Sequence, residues 1–248
     1  MTQPAIFQHP HLDGASFEWK GNSTGILLFH GFTATTVEVR LMAKFLLDQG
    51  FSVSGPLLPG HGHSPEEMNQ VTWKDWVNCA EEYYQRLADT CDKIFVLGES
   101  MGALVAITTS ISHPEIAGTM LFAPALKVPG LEVSEIIWPF KEYIYKKNVD
   151  ESMAWQGFNV VPLKAAAQLV KFQKFIRKNL SRLTTPTLIF QGKLDQTIDP
   201  IGSVDILENI TAQEKELVWL EESTHCILLD KQLSEAENLC LEFISLHS

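Results

Sequence analysis

The run Ile94-Phe95-Val96-Leu97-Gly98-Glu99-Ser100-Met101-Gly102-Ala103 constrains this chain most. An apolar stretch ends at Gly98 and an amphipathic one starts near Ser100. Gly-x-Ser-x-Gly between a strand and a helix describes a sharp, strained turn that lifts a serine hydroxyl clear of the backbone. Strand and helix close on each other at Gly98 and Gly102, where only hydrogen fits. Ser100 then stands at the carboxyl edge of a sheet, with a helix N-terminus behind it. The pentapeptide also arises by chance, so the surrounding chain must supply its context.

That context is an alternation of strands and helices. Residues 5–20 read as one or two edge strands. Gly25 to His30 is a continuous apolar run, as in a strand covered on both faces. Thr35-x-x-Glu38 is a capping-box pattern that opens a helix with Leu41, Met42, Phe45 and Leu46 on one face. Phe51-Ser52-Val53 is the next strand, and the Pro- and Gly-rich stretch 56–64 is a loop. Thr72-x-x-Asp75 starts a second helix, and residues 93–97 lead into the Ser100 turn. A helix ending before Pro114 and a strand over 116–122 follow. After an interruption, strands at 186–190 and 216–220 and helices from about Ile201 and over 233–244 complete the chain. Alternation of this kind predicts parallel βαβ units with helices on both faces of the sheet.

The interruption spans 124–183 and carries no convincing buried strand, so it reads as an insertion of helices and loops. Pro162 begins a helix of about 17 residues. Ala165, Leu169, Phe172, Ile176 and Leu180 share one side of it, and Lys164, Lys171, Lys174 and Lys178 the other. The expected division is a core domain of 1–123 and 184–248 and a cap of 124–183.

Acyl transfer by a serine needs a base for the hydroxyl proton, an anion to orient that base, and dipoles where an oxyanion develops. Ligands of an open parallel sheet gather at the carboxyl ends of its strands. Asp195 follows the strand at 186–190 and His225 the strand at 216–220, giving the chain order Ser100, Asp195, His225. Asp199 is the rival acid, but Asp199-Pro200 reads as the start of a helix. His30, His61 and His63 all precede Ser100, on the wrong side for the base. His30 reads as a support for the loop after the first buried strand. His61 and His63, two residues apart without a third ligand, fit loop shaping better than zinc binding. The oxyanion would meet the backbone amides of Met101 and Phe32. No cofactor and no metal are expected.

The segments H-G-F-T-A (30–34), P-G-H-G-H-S (59–64), T-W-K-D-W (72–76), G-E-S-M-G (98–102), G-K-L-D (192–195) and S-T-H (223–225) together resemble the α/β-hydrolase family. Within it the chain is most similar to bacterial carboxylesterases of the monoacylglycerol-lipase type, over about 25–125 and 183–246. The resemblance implies an α/β-hydrolase fold and triad roles for Ser100, Asp195 and His225. It implies oxyanion roles for Phe32 and Met101, and a lid at 124–183. The expected substrate is a small-molecule ester of short to medium acyl chain, a monoacylglycerol among the candidates. Acyltransferase, C–C hydrolase and cofactor-free haloperoxidase chemistry on the same fold are the alternatives, with a non-catalytic binding protein behind them. Glu99 departs from the usual apolar residue or His, and Ala103 and Ala34 stand where Gly is frequent. Glu99 reads as buried with a partner behind the turn.

A formal net charge of −11 argues against nucleic acid as a partner. The charge is uneven: residues 125–183 hold 10 of the 19 Lys and Arg but only 5 of the 30 Asp and Glu. The Lys-rich face of the cap helix is either a solvated surface over an acidic core or a site of transient membrane contact. The N-terminus lacks the basic and apolar regions of a signal peptide. The four cysteines form no C-x-x-C pattern, and free thiols in the cytoplasm are expected, with Cys226 a bystander beside His225.

Overall fold

A computed structural model describes residues 5–147 and 153–248. Met1–Pro4, part of the N-terminal reading, and residues 148–152 of the predicted insertion lie outside the described residues. The chain opens with β1 (Phe7–Gln8), β2 (Phe17–Trp19) and β3 (Thr24–Phe29). Then come α1 (Val37–Asp48), β4 (Ser52–Gly55), α2 (Pro65–Met68), α3 (Trp73–Ala88), β5 (Lys93–Glu99), α4 (Met101–Ser112) and β6 (Gly118–Phe122). The middle segment holds α5 (Ser134–Ile137), β7 (Tyr143–Tyr145), β8 (Gly157–Phe158), β9 (Val160–Pro162) and α6 (Leu163–Asn179). β10 (Thr187–Gly192), α7 (Ile201–Asn209), β11 (Lys215–Leu220) and α8 (Leu233–His247) finish it.

Seven strands form one sheet in the order β11-β10-β6-β5-β3-β4-β2. All neighbours run parallel except β2, which pairs antiparallel with β4 at the edge. The central strands are buried on both faces, which is why β3 and β5 read as unbroken apolar runs. Ile26, Leu28, Phe95 and Leu97 pack with Val39, Met42 and Leu46 of α1 and with Ala236, Cys240 and Ile244 of α8. Leu27, Phe29 and Val96 face the other way, toward Trp76 of α3 and Leu104 and Ile107 of α4. The strand order reverses between β3 and β5, and the crevice this creates opens where both strands end.

The predicted capping boxes have different fates. At α3 the box forms, with Thr72 and Asp75 bonded reciprocally. At α1 it does not. The helix starts one residue later, with Thr36 as N-cap and no side-chain cap bond, and Glu38 turns inward. Glu38 falls in the stripe of Val39, Met42, Ala43 and Leu46, all buried, so its periodicity outranks its cap spacing.

Among the described residues, 124–183 add no strand to the main sheet, but they are not only helix and loop. β7 pairs antiparallel with β9, and β8 with β1 from the N-terminus. Strands of two or three residues are too short to show a period of two, hence their absence from the sequence reading. α6 runs the expected 17 residues. Ala165, Leu169, Phe172 and Ile176 are buried, and Lys171, Lys174 and Lys178 are exposed. Phe172 stacks on Trp73 of α3 at 5.2 Å between ring centroids, which fixes α6 against the rest of the molecule.

Candidate active site

Ser100 sits between β5 and α4 with φ 57° and ψ −115°, a strained conformation held by its surroundings. Its amide donates to Phe122 O at 2.8 Å, and its carbonyl accepts from Ala125 N at 3.1 Å. The two glycines answer the expected steric demand. A Cβ on Gly98 would lie 2.1 Å from Gly102 O, and one on Gly102 would lie 2.1 Å from Phe29 O. The turn closes because neither residue has a side chain.

Three residues from three strand ends meet here. His225 Nε2 lies 2.9 Å from Ser100 Oγ, and His225 Nδ1 lies 2.8 Å from Asp195 Oδ2. The Asp195 side chain is 1% exposed. Its Oδ1 accepts the amides of Thr197 at 2.8 Å and Ile198 at 3.1 Å, and its Oδ2 also accepts from Gln191 Nε2 at 3.2 Å. Burial works to raise this carboxyl group, but its bond to His225, the charge of His225 and the two amides outweigh burial and hold it below the usual carboxylate range. An ionised Asp195 only accepts, so Nδ1 of His225 carries the proton and Nε2 is left to accept from Ser100. Asp199 pairs instead with Lys127 at 2.8 Å and accepts the Ile201 amide at the start of α7.

The loop after β3 lies on the other side of Ser100. His30 is fully buried, and its Nε2 accepts the Leu58 amide at 3.0 Å. Nδ1 therefore bears the hydrogen and donates to Gly31 O at 2.9 Å. Burial, and then the neighbouring His61, lower the His30 pKa well below the ordinary histidine value, so the ring is neutral. The bond to Gly31 O pins the plane of the Gly31–Phe32 peptide, and in a trans peptide the Phe32 N–H points opposite that carbonyl. Met101 supplies the first amide of α4. His61 is also buried, its pKa lowered to about 4 chiefly by that burial, with Nδ1 near the Leu58 and Pro59 carbonyls. His63 is exposed. Among the described residues no group of three or more His, Cys, Asp and Glu is placed to hold a metal.

Several charged or polar groups at the site escaped the sequence reading. Glu38 is 3% exposed; Gly31 N–H donates to its Oε2, and Trp155 Nε1 donates to its Oε1 at 3.0 Å. Lys146 Nζ donates to Thr33 Oγ1 at 2.7 Å and lies 4.4 Å from the Trp155 ring centroid. Burial lowers its pKa to about 8, against the opposing pull of Cys226 and Glu38. The readable signal was an acidic residue inside the apolar stripe of α1. Lys146 and Trp155 lie in a segment whose short strands carry no pattern. Glu99 is fully buried behind the turn, as its sequence position suggests, with Leu228 N–H donating to its Oε1 at 3.1 Å.

Residues 22–153 and 141–232 match the family described as serine aminopeptidase, S33. The chain belongs to this hydrolase family. It is 31% identical to the thermostable monoacylglycerol lipase of Bacillus sp. (strain H-257), covering 97% of this chain and 98% of that one. It is 26% identical to a carboxylesterase of Bacillus subtilis (strain 168), covering 92% and 95%. A solved structure from work on LipS and LipT, two metagenome-derived lipolytic enzymes, superposes with a TM-score of 0.90 at 29% identity, covering 94% of this chain and 98% of that one. The fold is that of the α/β-hydrolases, and the chain is a carboxylic ester hydrolase.

Proposed function

We propose that the chain hydrolyses carboxylic esters of short- to medium-chain acids, monoacylglycerols among them, through an acyl-enzyme on Ser100. The observation that carries this reading is the line from Ser100 Oγ through His225 to Asp195, at 2.9 and 2.8 Å. His225 Nε2 takes the hydroxyl proton as Ser100 Oγ attacks the ester carbonyl. Asp195 keeps the imidazole in the required tautomer and stabilises it once protonated. The amides of Phe32 and Met101 receive the oxyanion. His225 then returns the proton to the departing alcohol, and a water, activated by the same nitrogen, releases the acid.

Residues 124–183 act in this reading as a cap over a core of 1–123 and 184–248. Ile136 is 74% and Phe140 87% exposed, an apolar ridge with no packing role in the fold. Lys164 lies 5.8 Å from the Trp138 ring and brings a cation to the ridge, while Lys174 is paired with Glu135 at 2.7 Å. This combination suits transient contact with an anionic lipid surface. Among the described residues no helix is long and apolar enough to cross a membrane, and the four cysteines are unpaired. The second fact suits a reducing cytoplasm.

A fluorophosphonate probe and a series of p-nitrophenyl and glycerol esters test the proposal. Labelling at Ser100, lost in Ser100→Ala, is expected together with turnover extending to octanoate. An unlabelled wild type removes the acyl-enzyme. Turnover that peaks at acetate and vanishes by octanoate removes the medium-chain substrate.

A further inference from the structure

Glu38 occupies a position that the fold alone would fill with an apolar side chain. It shares the buried face of α1 with Val39, Met42 and Leu46. Burying a carboxyl group there is costly unless it is well bonded. Its two oxygens accept from different parts of the chain, Oε2 from Gly31 N–H and Oε1 from Trp155 Nε1, with the Cys226 thiol a weaker, 4.0 Å donor to Oε1. Gly31 is squeezed between this carboxyl group and the nucleophile: a Cβ there would lie 3.0 Å from Glu38 Oε2 and 3.1 Å from Ser100 Cβ. The neighbouring peptides of the loop are thus held at both ends, the Gly31 amide by Glu38 and the Gly31 carbonyl by His30.

The support behind this loop comes from the 124–183 segment. Phe158 N donates to Thr33 O at 2.9 Å, and Thr35 N donates to Gln156 O at 3.1 Å. Lys146 bonds Thr33, a non-glycine residue at φ 67°. Trp155 completes the set through Glu38.

We propose that Glu38 is a positioning residue for the oxyanion loop, gripping the Gly31 amide from behind while Trp155 grips its carboxyl group. The inference rests on the proposed role of the Phe32 amide, and it adds a consequence for the cap. The cap base at 155–158 is part of the oxyanion loop's frame and stays seated through turnover. Any opening is confined to the cap's outer part, because swinging 155–158 away would release the loop.

The test compares wild type with Glu38→Leu, Glu38→Gln, Trp155→Phe and the double variant Glu38→Gln/Trp155→Phe. The readouts are kcat and KM on p-nitrophenyl butyrate, inhibition by a trifluoromethyl ketone as oxyanion mimic, and the thermal melt. Glu38→Leu is expected to lose on the order of 10- to 100-fold in kcat, because a slightly misaimed oxyanion donor costs rate rather than ground-state binding. KM should move little, and affinity for the ketone should fall with kcat. Glutamine has one oxygen for Gly31 N–H but turns an amide N–H towards Trp155 Nε1–H, a contact of two donors. Glu38→Gln is therefore slow as well, and the double variant, which lacks the tryptophan donor, recovers to near the rate of Trp155→Phe. A Glu38→Leu enzyme with wild-type kcat and only a lower melt overturns the proposal. Should that variant not fold, a Glu38→Gln enzyme as fast as wild type, or a double variant no faster than Glu38→Gln, overturns it equally. A wild type inert to probe and ester removes the underlying reading and this inference with it. A reactive wild type with unaffected Glu38 variants removes this inference alone.

Discussion

Glu99 Oε1 accepts the Leu228 amide at 3.1 Å, which ties the residue before Ser100 to the loop that follows His225. Ser100 and His225 follow separate strands, β5 and β11, with β6 and β10 between them. This bond is a direct brace between their loops. Glu99 is fully buried behind the turn.

The brace has a cost that pH should expose. Burial raises the Glu99 carboxyl group well above its ordinary value, helped by the negative charge of Glu38, and the amides of Leu228 and Ile227 only partly oppose this. Glu99 Oε2 has no hydrogen-bond partner among the described residues. A carboxyl group raised on folding binds its proton more tightly in the native state, so its penalty on stability is absent below its unfolded pKa. The penalty grows as pH rises toward the native pKa and is constant beyond it. Glu99→Gln keeps an acceptor for Leu228 and cannot ionise. Its melt should match wild type near pH 4 and lie above it at pH 7 to 8, the gap widening as pH rises between. A gap that is constant with pH would rule out the buried proton.

Asp195 makes the opposite prediction. Its carboxyl group is held below the usual range, so the stability it contributes is full above its unfolded pKa and is lost as pH falls through the native one. Asp195→Asn should preserve the amide bonds to Thr197 and Ile198 while presenting an N–H to His225 Nδ1. That forces the proton onto Nε2, facing Ser100 Oγ. We expect a fall in kcat on the order of 10³- to 10⁴-fold at neutral pH, comparable with the same change in other serine triads. The melt at pH 7 should move much less than that loss implies. Near-wild-type turnover in the variant would exclude Asp195 as the orienting acid.

What was legible in the sequence followed from burial and strand ends. β3 and β5 are covered on both faces and so carry apolar runs. Ser100, Asp195 and His225 each follow a strand, and a parallel sheet collects such residues at one edge. What was hidden was polar and non-local. Glu38 sits in the spacing of a capping box, yet the amides it could have capped lost to Gly31 and Trp155, and only the folded loop offers that choice. Lys146 and Trp155 reach the site through two- and three-residue strands. The Asp195 supports were hidden for the same reason: Gln191 lies within a strand that reads as core, and Ser203, which donates to Gln191 Oε1 at 2.7 Å, lies on a different element.

Gly102→Ala tests the closeness of strand and helix at the turn. The added methyl would meet Phe29 O at 2.1 Å and His30 O at 2.7 Å, both backbone atoms that cannot step aside alone. Relief requires α4 to move away from β3, which breaks packing at the centre of the sheet. Loss of several kcal/mol is expected, of the order seen for severe core overpacking. The expected readout is insoluble expression, or a melt lowered by 10 °C or so. A soluble variant with a wild-type melt would show that the turn has slack.

The last prediction separates the exposed ridge of the 124–183 segment from the proposed chemistry at Ser100. Phe140 and Ile136 are large, apolar and exposed, and neither belongs to either core cluster. Phe140→Ser and Ile136→Ser should therefore leave both the fold and turnover of soluble p-nitrophenyl butyrate unchanged. Lipid is a different matter. An apolar side chain taken fully out of water is worth about 1.5–3 kcal/mol, so the double variant should bind vesicles containing anionic lipid at least tenfold more weakly in co-sedimentation. Salt should weaken wild-type binding as well, since Lys164 beside the ridge acts through screened charge. The soluble substrate decides the interpretation. Equal losses on both substrates would mean the ridge supports the cap's shape, whereas loss on vesicle-borne monoacylglycerol alone assigns the ridge to the lipid surface.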